Sequence, residues 1–177
     1  MPVPAKKASD LIPVIDQVFK ESLLEFGFGA SKVEKDKFFV KKYYECNDRY
    51  IAVSLNFHPR DGQPYLNLIL GEGSPNWPDS DWNSIAIWHL QNHLSGSTAG
   101  SEYAITLENA ENQLKRALKD LLTYHTGFLS GNLDVFYLVR KQINSARSPY
   151  QILTPDKDGK YSARDEETSK KLKARYS

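Results

Sequence analysis

Tyr50-Ile-Ala-Val-Ser-Leu-Asn-Phe57 is the stretch whose reading sets the fold. Ile51, Val53, Leu55 and Phe57 fall on one side of an extended chain, and Tyr50, Ala52, Ser54 and Asn56 fall on the other. That two-residue alternation belongs to an antiparallel strand with one face on a core. Upstream, Cys46-Asn-Asp-Arg49 is short enough for a hairpin and leads back to a run over residues 37–45. There Phe38, Val40 and Tyr44 stand against Phe39, Lys41 and Tyr43. Downstream, residues 58–64 carry turn chemistry around Asp61-Gly62, and residues 65–70 form a further strand burying Leu66, Leu68 and Leu70. Three strands with short links make a meander.

Helical spacing surrounds this meander. Val14, Ile15, Val18, Phe19, Leu23 and Phe26 make one apolar face over residues 10–26, and Gly27 stands where a left-handed cap is wanted. Asp79 or Ser80 is a cap for a helix running to about Leu94, with Asp81 near its positive end. Residues 95–101, Ser-Gly-Ser-Thr-Ala-Gly-Ser, read as a flexible linker. Thr106 caps a third helix whose face is Leu107, Ala110, Leu114, Ala117, Leu118, Leu121, Leu122 and His125, and Gly127 is expected to end it. Asn132 caps a fourth, with Leu133, Phe136, Val139, Arg140 and Ile143 along one side. Segregated strands and helices predict an α+β fold: an antiparallel meander of three or more strands, covered on one face by helices. Residues 1–149 are read as the domain, and the more polar residues 150–177 as a tail that frays or docks.

The bulk numbers agree with a single globular unit. The chain has 177 residues, 40% hydrophobic and 25% charged. A net charge of +1 supplies no field to gather nucleic acid or an anionic membrane. Cys46 is the sole cysteine, so neither a disulfide framework nor a multi-cysteine zinc site can form. Residues 1–7 lack the apolar segment of a signal peptide, and no run approaches the ~20 apolar residues of a membrane span. A cytoplasmic location is expected.

Motifs that carry chemistry are scarce. Gly71-Glu-Gly73 lacks the third glycine of a dinucleotide loop, and there is no phosphate-loop lysine. The centre of Gly96-Ser-Thr-Ala-Gly100 is Thr98, and no strand precedes it as a nucleophile elbow requires. Asp156-Lys-Asp-Gly159 is a fragment of a calcium loop without its later ligands. His89 and His93, four apart on an expected helix, have the spacing of two metal ligands. A third would come from His58, His125, Asp79, Asp81 or Cys46. The bland reading, two surface histidines, outweighs it, and no cofactor is expected.

Trp77, Trp82 and Trp88 share one loop–helix segment with Asp79 and Asp81. Trp82 and Trp88 flank Ile85 at helical spacing and point to core, whereas Trp77, between Asn76 and Pro78, is the candidate for an exposed anchor. We take Trp77, Trp82, Asp79 and Asp81 as the candidate binding residues, with the two aspartates also serving as helix-capping groups. Lys41, Lys42, Tyr43, Tyr44 and Arg49 mix base-stacking and phosphate-pairing chemistry, but lysines also protect an edge strand.

A helix ending in Glu25-Phe-Gly-Phe28, then polar-aromatic strands, a tryptophan-containing segment and a helix entering Thr126-Gly-Phe-Leu-Ser-Gly131 give the chain a recognisable order. It resembles small, uncharacterised bacterial α+β families, some grouped with immunity proteins of toxin systems. The resemblance covers about residues 10–145. It implies a non-enzymatic role in binding a protein partner and carries over no functional residue. The expectation is therefore a binding module. A metal-dependent enzyme built on His89 and His93, or an RNA-binding strand, are the alternatives.

Overall fold

The computed structural model describes residues 6–96 and 103–177. The linker and the elbow-like segment fall largely on residues 97–102, outside the described residues. A 3-10 turn at Ala8–Leu11 runs into helix α1, Ile12–Leu24, which buries Ile15, Phe19 and Leu23. Pro13 sits in the first turn, where its missing N–H costs nothing. At the far end Gly27 adopts φ +84°, and the Phe28 N–H reaches back to the Leu23 carbonyl at 3.0 Å. That left-handed closure ends α1 and turns the chain into the sheet.

Four strands then run as an antiparallel meander: β1 Gly29–Lys35, β2 Phe39–Cys46, β3 Arg49–Asn56 and β4 Tyr65–Glu72. The α+β fold and antiparallel meander expected from the alternation are present, with one more strand than the three read from sequence. β1 escapes the hydrophobic pattern because nearly all of it is exposed. It, and not β2, is the edge, so the lysines of β2 do not serve as edge protection. The β2–β3 hairpin closes through Asn47 at φ +52°.

The outer side of β4 carries two short strands. β5, Ser84–Ala86, pairs with Ile69, Leu70 and Gly71, and β6, Tyr103–Ala104, pairs with Tyr65 and Leu66. β5 splits the helix expected from residue 80 to 94 into α2, Ser80–Asn83, and α3, Ile87–Ser95. The unpaired backbone groups of β4 supply the reason: satisfying them outweighs the local helical spacing.

Helix α4, Ala110–Tyr124, crosses the core face. Thr106 and Asn109 exchange side-chain to backbone hydrogen bonds just before it, at 2.7 and 3.2 Å. It stops at His125, and Gly127 lies inside a further short helix, α5, Thr126–Ser130; the left-handed glycine is Gly131. Helix α6, Asp134–Ala146, follows. Core-face residues of β2, β3 and β4 join apolar residues of α1, α3, α4, α5 and α6 in one cluster.

Residues 150–177 contribute three elements, two strands and a helix. β7, Ile152–Pro155, and β8, Tyr161–Asp165, form a separate hairpin around Asp156, whose carboxylate accepts the Asp158 and Lys160 N–H groups. The calcium-like fragment is thus a turn. Helix α7, Glu167–Tyr176, packs on α6 and α2, placing Leu172 and Tyr176 against Trp82 and Tyr150. Among the described residues no helix is long and apolar enough to cross a membrane.

Candidate functional site: the Trp77 loop

The loop from Gly73 to Asp79 joins β4 to α2. The Gly73 N–H bonds to the Asp48 carbonyl at 2.5 Å. Asn83, fully buried, donates to the Ser74 carbonyl at 2.8 Å and accepts the Tyr50 hydroxyl at 2.7 Å. From the sheet edge, Lys32 donates to Asn76 Oδ1 at 2.7 Å and pairs with Glu34 at 2.8 Å. Glu34 also accepts the Tyr43 hydroxyl. Burial opposes it, but these hydrogen bonds from Lys32 and Tyr43 hold its carboxyl below the usual range. The loop is therefore pinned on both flanks, and Trp77 stands 60% exposed at its crest.

The other three candidate residues fare differently. Trp82 is fully buried: its ring stacks on Tyr150 at 5.8 Å, and the Arg147 guanidinium lies 4.3 Å over it. Its carbonyl accepts Asn144 Nδ2 at 2.7 Å. Asp81 is not a helix cap; it pairs with Arg147 at 2.9 Å and accepts the Tyr150 hydroxyl at 2.6 Å. Asp79 occupies the N-cap position of α2, makes no side-chain capping bond and is half-buried. So Trp77 alone of the four presents a large free apolar surface, while Trp82 is buried and Asp81, though exposed, is engaged by Arg147 and Tyr150.

The histidine pair gathers no third metal-ligating side chain among the described residues. His93 is exposed, and His89 is half-buried against Trp88, 3.5 Å between ring centroids, with burial lowering its pKa. Among the described residues no group of three or more His, Cys, Asp or Glu stands close enough to hold a metal ion. The aromatic–basic cluster on β2 is divided by the pleat. Tyr44 and Lys42 face the helices and share Asp16, at 2.8 and 3.3 Å. Arg49 donates to the Phe128 and Leu129 carbonyls. On the other face Tyr43 is 1% exposed, which leaves no ring surface for a base.

One group was missed. Arg140 of α6 is buried, pairs with Glu72 at 3.0 Å and has its guanidinium within 5.2 Å of the Phe136, Tyr137 and Tyr176 rings. The Tyr137 hydroxyl donates to the same Glu72 at 2.6 Å, and that bond pushes its pKa up to about 12. Glu72, Tyr137, Arg140 and Tyr176, with Asp48 and Arg175, line a cavity of about 410 Å³ that includes Gly73, the first residue of the loop. The signal was an arginine within the apolar stripe Leu133, Phe136, Val139 and Ile143. Its charge is already balanced by Glu72, so the group anchors α6 to β4.

Compared with family models, with curated proteins and with solved structures, the chain shows no significant match.

Proposed function

We propose that the chain is a cytoplasmic binding protein without catalysis of its own, engaging a protein partner through the Trp77 loop. The observation that carries this reading is a tryptophan 60% exposed on a loop whose backbone is tied to Asp48 and Asn83 and whose Asn76 side chain is held by Lys32. Tryptophan is the strongest single anchor in protein interfaces, and a loop ordered before binding loses little entropy on docking. Asp79, beside it, has no ion pair among the described residues. A fitting partner offers an apolar pocket with a basic side chain at its rim. Neutralising a toxin, the role implied by the resemblance to immunity families, is one form such binding takes.

The test compares proteins retained from native lysate by the wild-type chain and by Trp77→Ala. A partner held stoichiometrically by the first and lost by the second supports the reading. The same set retained in equal amounts by both overturns it.

A further inference from the structure

Among the described residues the main sheet ends on one side in β1, which pairs with β2 alone. On the other side β4 is covered by β5 and β6, three and two residues long. The seven residues of β1 are therefore the longest free edge of this sheet. The alternation of an antiparallel ladder fixes which backbone groups β1 commits to β2. The Asp36 N–H bonds to the Phe39 carbonyl at 3.0 Å, and Glu34, opposite Lys41, turns the same way. The N–H and C=O groups of Val33 and Lys35 consequently point outward. Ser31, Val33, Glu34 and Lys35 are all exposed.

The side chains of this edge carry opposite charges on either side of Val33. Lys32 and Glu34 lie on the face that holds Tyr43: Lys32 Nζ stands 4.3 Å over its ring, and Glu34 accepts its hydroxyl at 3.1 Å. Lys32 already donates to Glu34, Asn76 and the Pro75 carbonyl, yet the two side chains remain 32% and 47% exposed. Consider a second copy laid antiparallel against the edge, with a twofold axis at Val33. Val33 then exchanges backbone bonds with its own copy. Lys32 falls opposite Glu34, Glu34 opposite Lys32, and Lys35 opposite Ser31. No like charges are directly opposed. An axis at Lys32 or at Glu34 would set that charge against itself, which is destabilising. The charges thus select both the register and a second copy as the occupant.

Lysines and bulges ordinarily protect an edge from pairing. Here Lys32 meets an acid in the selected register, and its attraction to that acid acts across the strands without displacing Asn76. The bulge between Ala30 and Val33 shortens the ladder, so the association should be weak and reversible.

We propose that β1 is a self-recognition edge: two copies of this chain pair through antiparallel β1 strands about a twofold axis at Val33. The backbone groups of Val33 and the crossed charges of Lys32 and Glu34 hold the pair. This surface is independent of the partner assigned to Trp77.

The test is sedimentation of the full chain from micromolar to millimolar concentration. Wild type should show a monomer–dimer equilibrium that weakens as salt is raised. Lys32→Glu makes an edge with two acids, and Glu34→Lys makes an edge with two bases. Each should self-associate at least about tenfold more weakly than wild type. Mixed together, these two variants should form a one-to-one dimer, because every crossed pair is then opposite in charge. Mixing also separates contacts between chains from the Lys32–Glu34 pair within one chain. Val33→Pro, which removes an outward N–H that β2 does not use, should abolish both dimers. A wild-type chain that stays monomeric throughout overturns the proposal. So do single variants that dimerise as wild type does, or folded variants, checked by circular dichroism, that stay apart when mixed. If Val33→Pro does not fold, the mixing experiment alone decides.

Discussion

The Trp82 indole lies nearly parallel to the Tyr150 ring, 5.8 Å away at 9°, and this stack is where residues 150–177 meet α2, the helix that follows the Trp77 loop. Leu172 and Tyr176 pack against the same indole from α7. Tyr150 also bonds to Asp81, which in turn holds Arg147. Tyr150→Ala removes the stack and frees Asp81, and should cost about 3 kcal/mol. Tyr150→Phe keeps the stack and should cost about 1 kcal/mol. Urea unfolding followed by tryptophan fluorescence separates the two. Equal losses for both variants would show that the ring packing contributes nothing.

Gly71 makes a second prediction. It sits opposite Tyr50 across the β3–β4 pair, and a Cβ there would lie 2.1 to 2.4 Å from atoms of the Tyr50 ring and its hydroxyl. The tyrosine cannot retreat freely, because its hydroxyl is bonded to buried Asn83. Gly71→Ala should therefore destabilise the chain by about 3 kcal/mol, by overpacking. Adding Tyr50→Ala should recover part of that loss, since the two residues share one space. Additive losses in the double variant would contradict this.

The central meander was legible because its strands are half-buried, and half-burial writes an alternation into sequence. β1 left no such trace: an edge strand facing solvent on both sides has no apolar register to read. β5 was hidden by coincidence, since Trp82, Ile85 and Trp88 repeat at helical spacing while the backbone of Ser84–Ala86 is claimed by the edge of β4. Trp77 could be placed because Pro75 and Pro78 exclude it from any regular element. Arg140 could have been found from its place in an apolar stripe. The state of His125 could not, since its position on the face of α4 reads as one more core residue, and only the packing around it leaves Nε2 buried without a partner among the described residues.

Glu72 and Arg140 supply the third prediction. Arg140 is 8% exposed, and Glu72 is its only anionic partner among the described residues. Glu72→Ala strands that cation in a ring of aromatic side chains and should cost about 3 kcal/mol. Replacing both residues by methionine removes the charge along with its partner and should be the milder change. Thermal unfolding of the two variants decides it, and a double variant as unstable as Glu72→Ala would refute the charge-pair account.

Trp77→Ala should behave in the opposite way. Its side chain is largely in solvent, and the bonds that pin the loop come from Gly73, Ser74 and Asn76. Stability should change by no more than about 0.5 kcal/mol while partner capture is lost. A marked fall in the unfolding midpoint would mean that the indole supports the loop, and the capture experiment would then need a milder substitution.

The His125 imidazole also makes stability depend on pH. Its ordinary value is 6.5, and burial lowers it to about 4 in the folded chain. Above pH 6.5 the ring is neutral in both states and the full stability is present. As pH falls below 6.5 the unfolded chain takes up the proton first, which favours unfolding. The loss grows until the folded ring also protonates near pH 4, and integrates to roughly 3 kcal/mol. Burial lowers His89 as well, so the wild-type slope contains a second contribution of the same sign. The difference between wild type and His125→Gln isolates the first. Urea midpoints between pH 8 and pH 4 should converge as pH falls, because the variant lacks the group that protonates on unfolding. Parallel curves across that window would mean that the imidazole titrates alike in both states and that its burial does not set the slope.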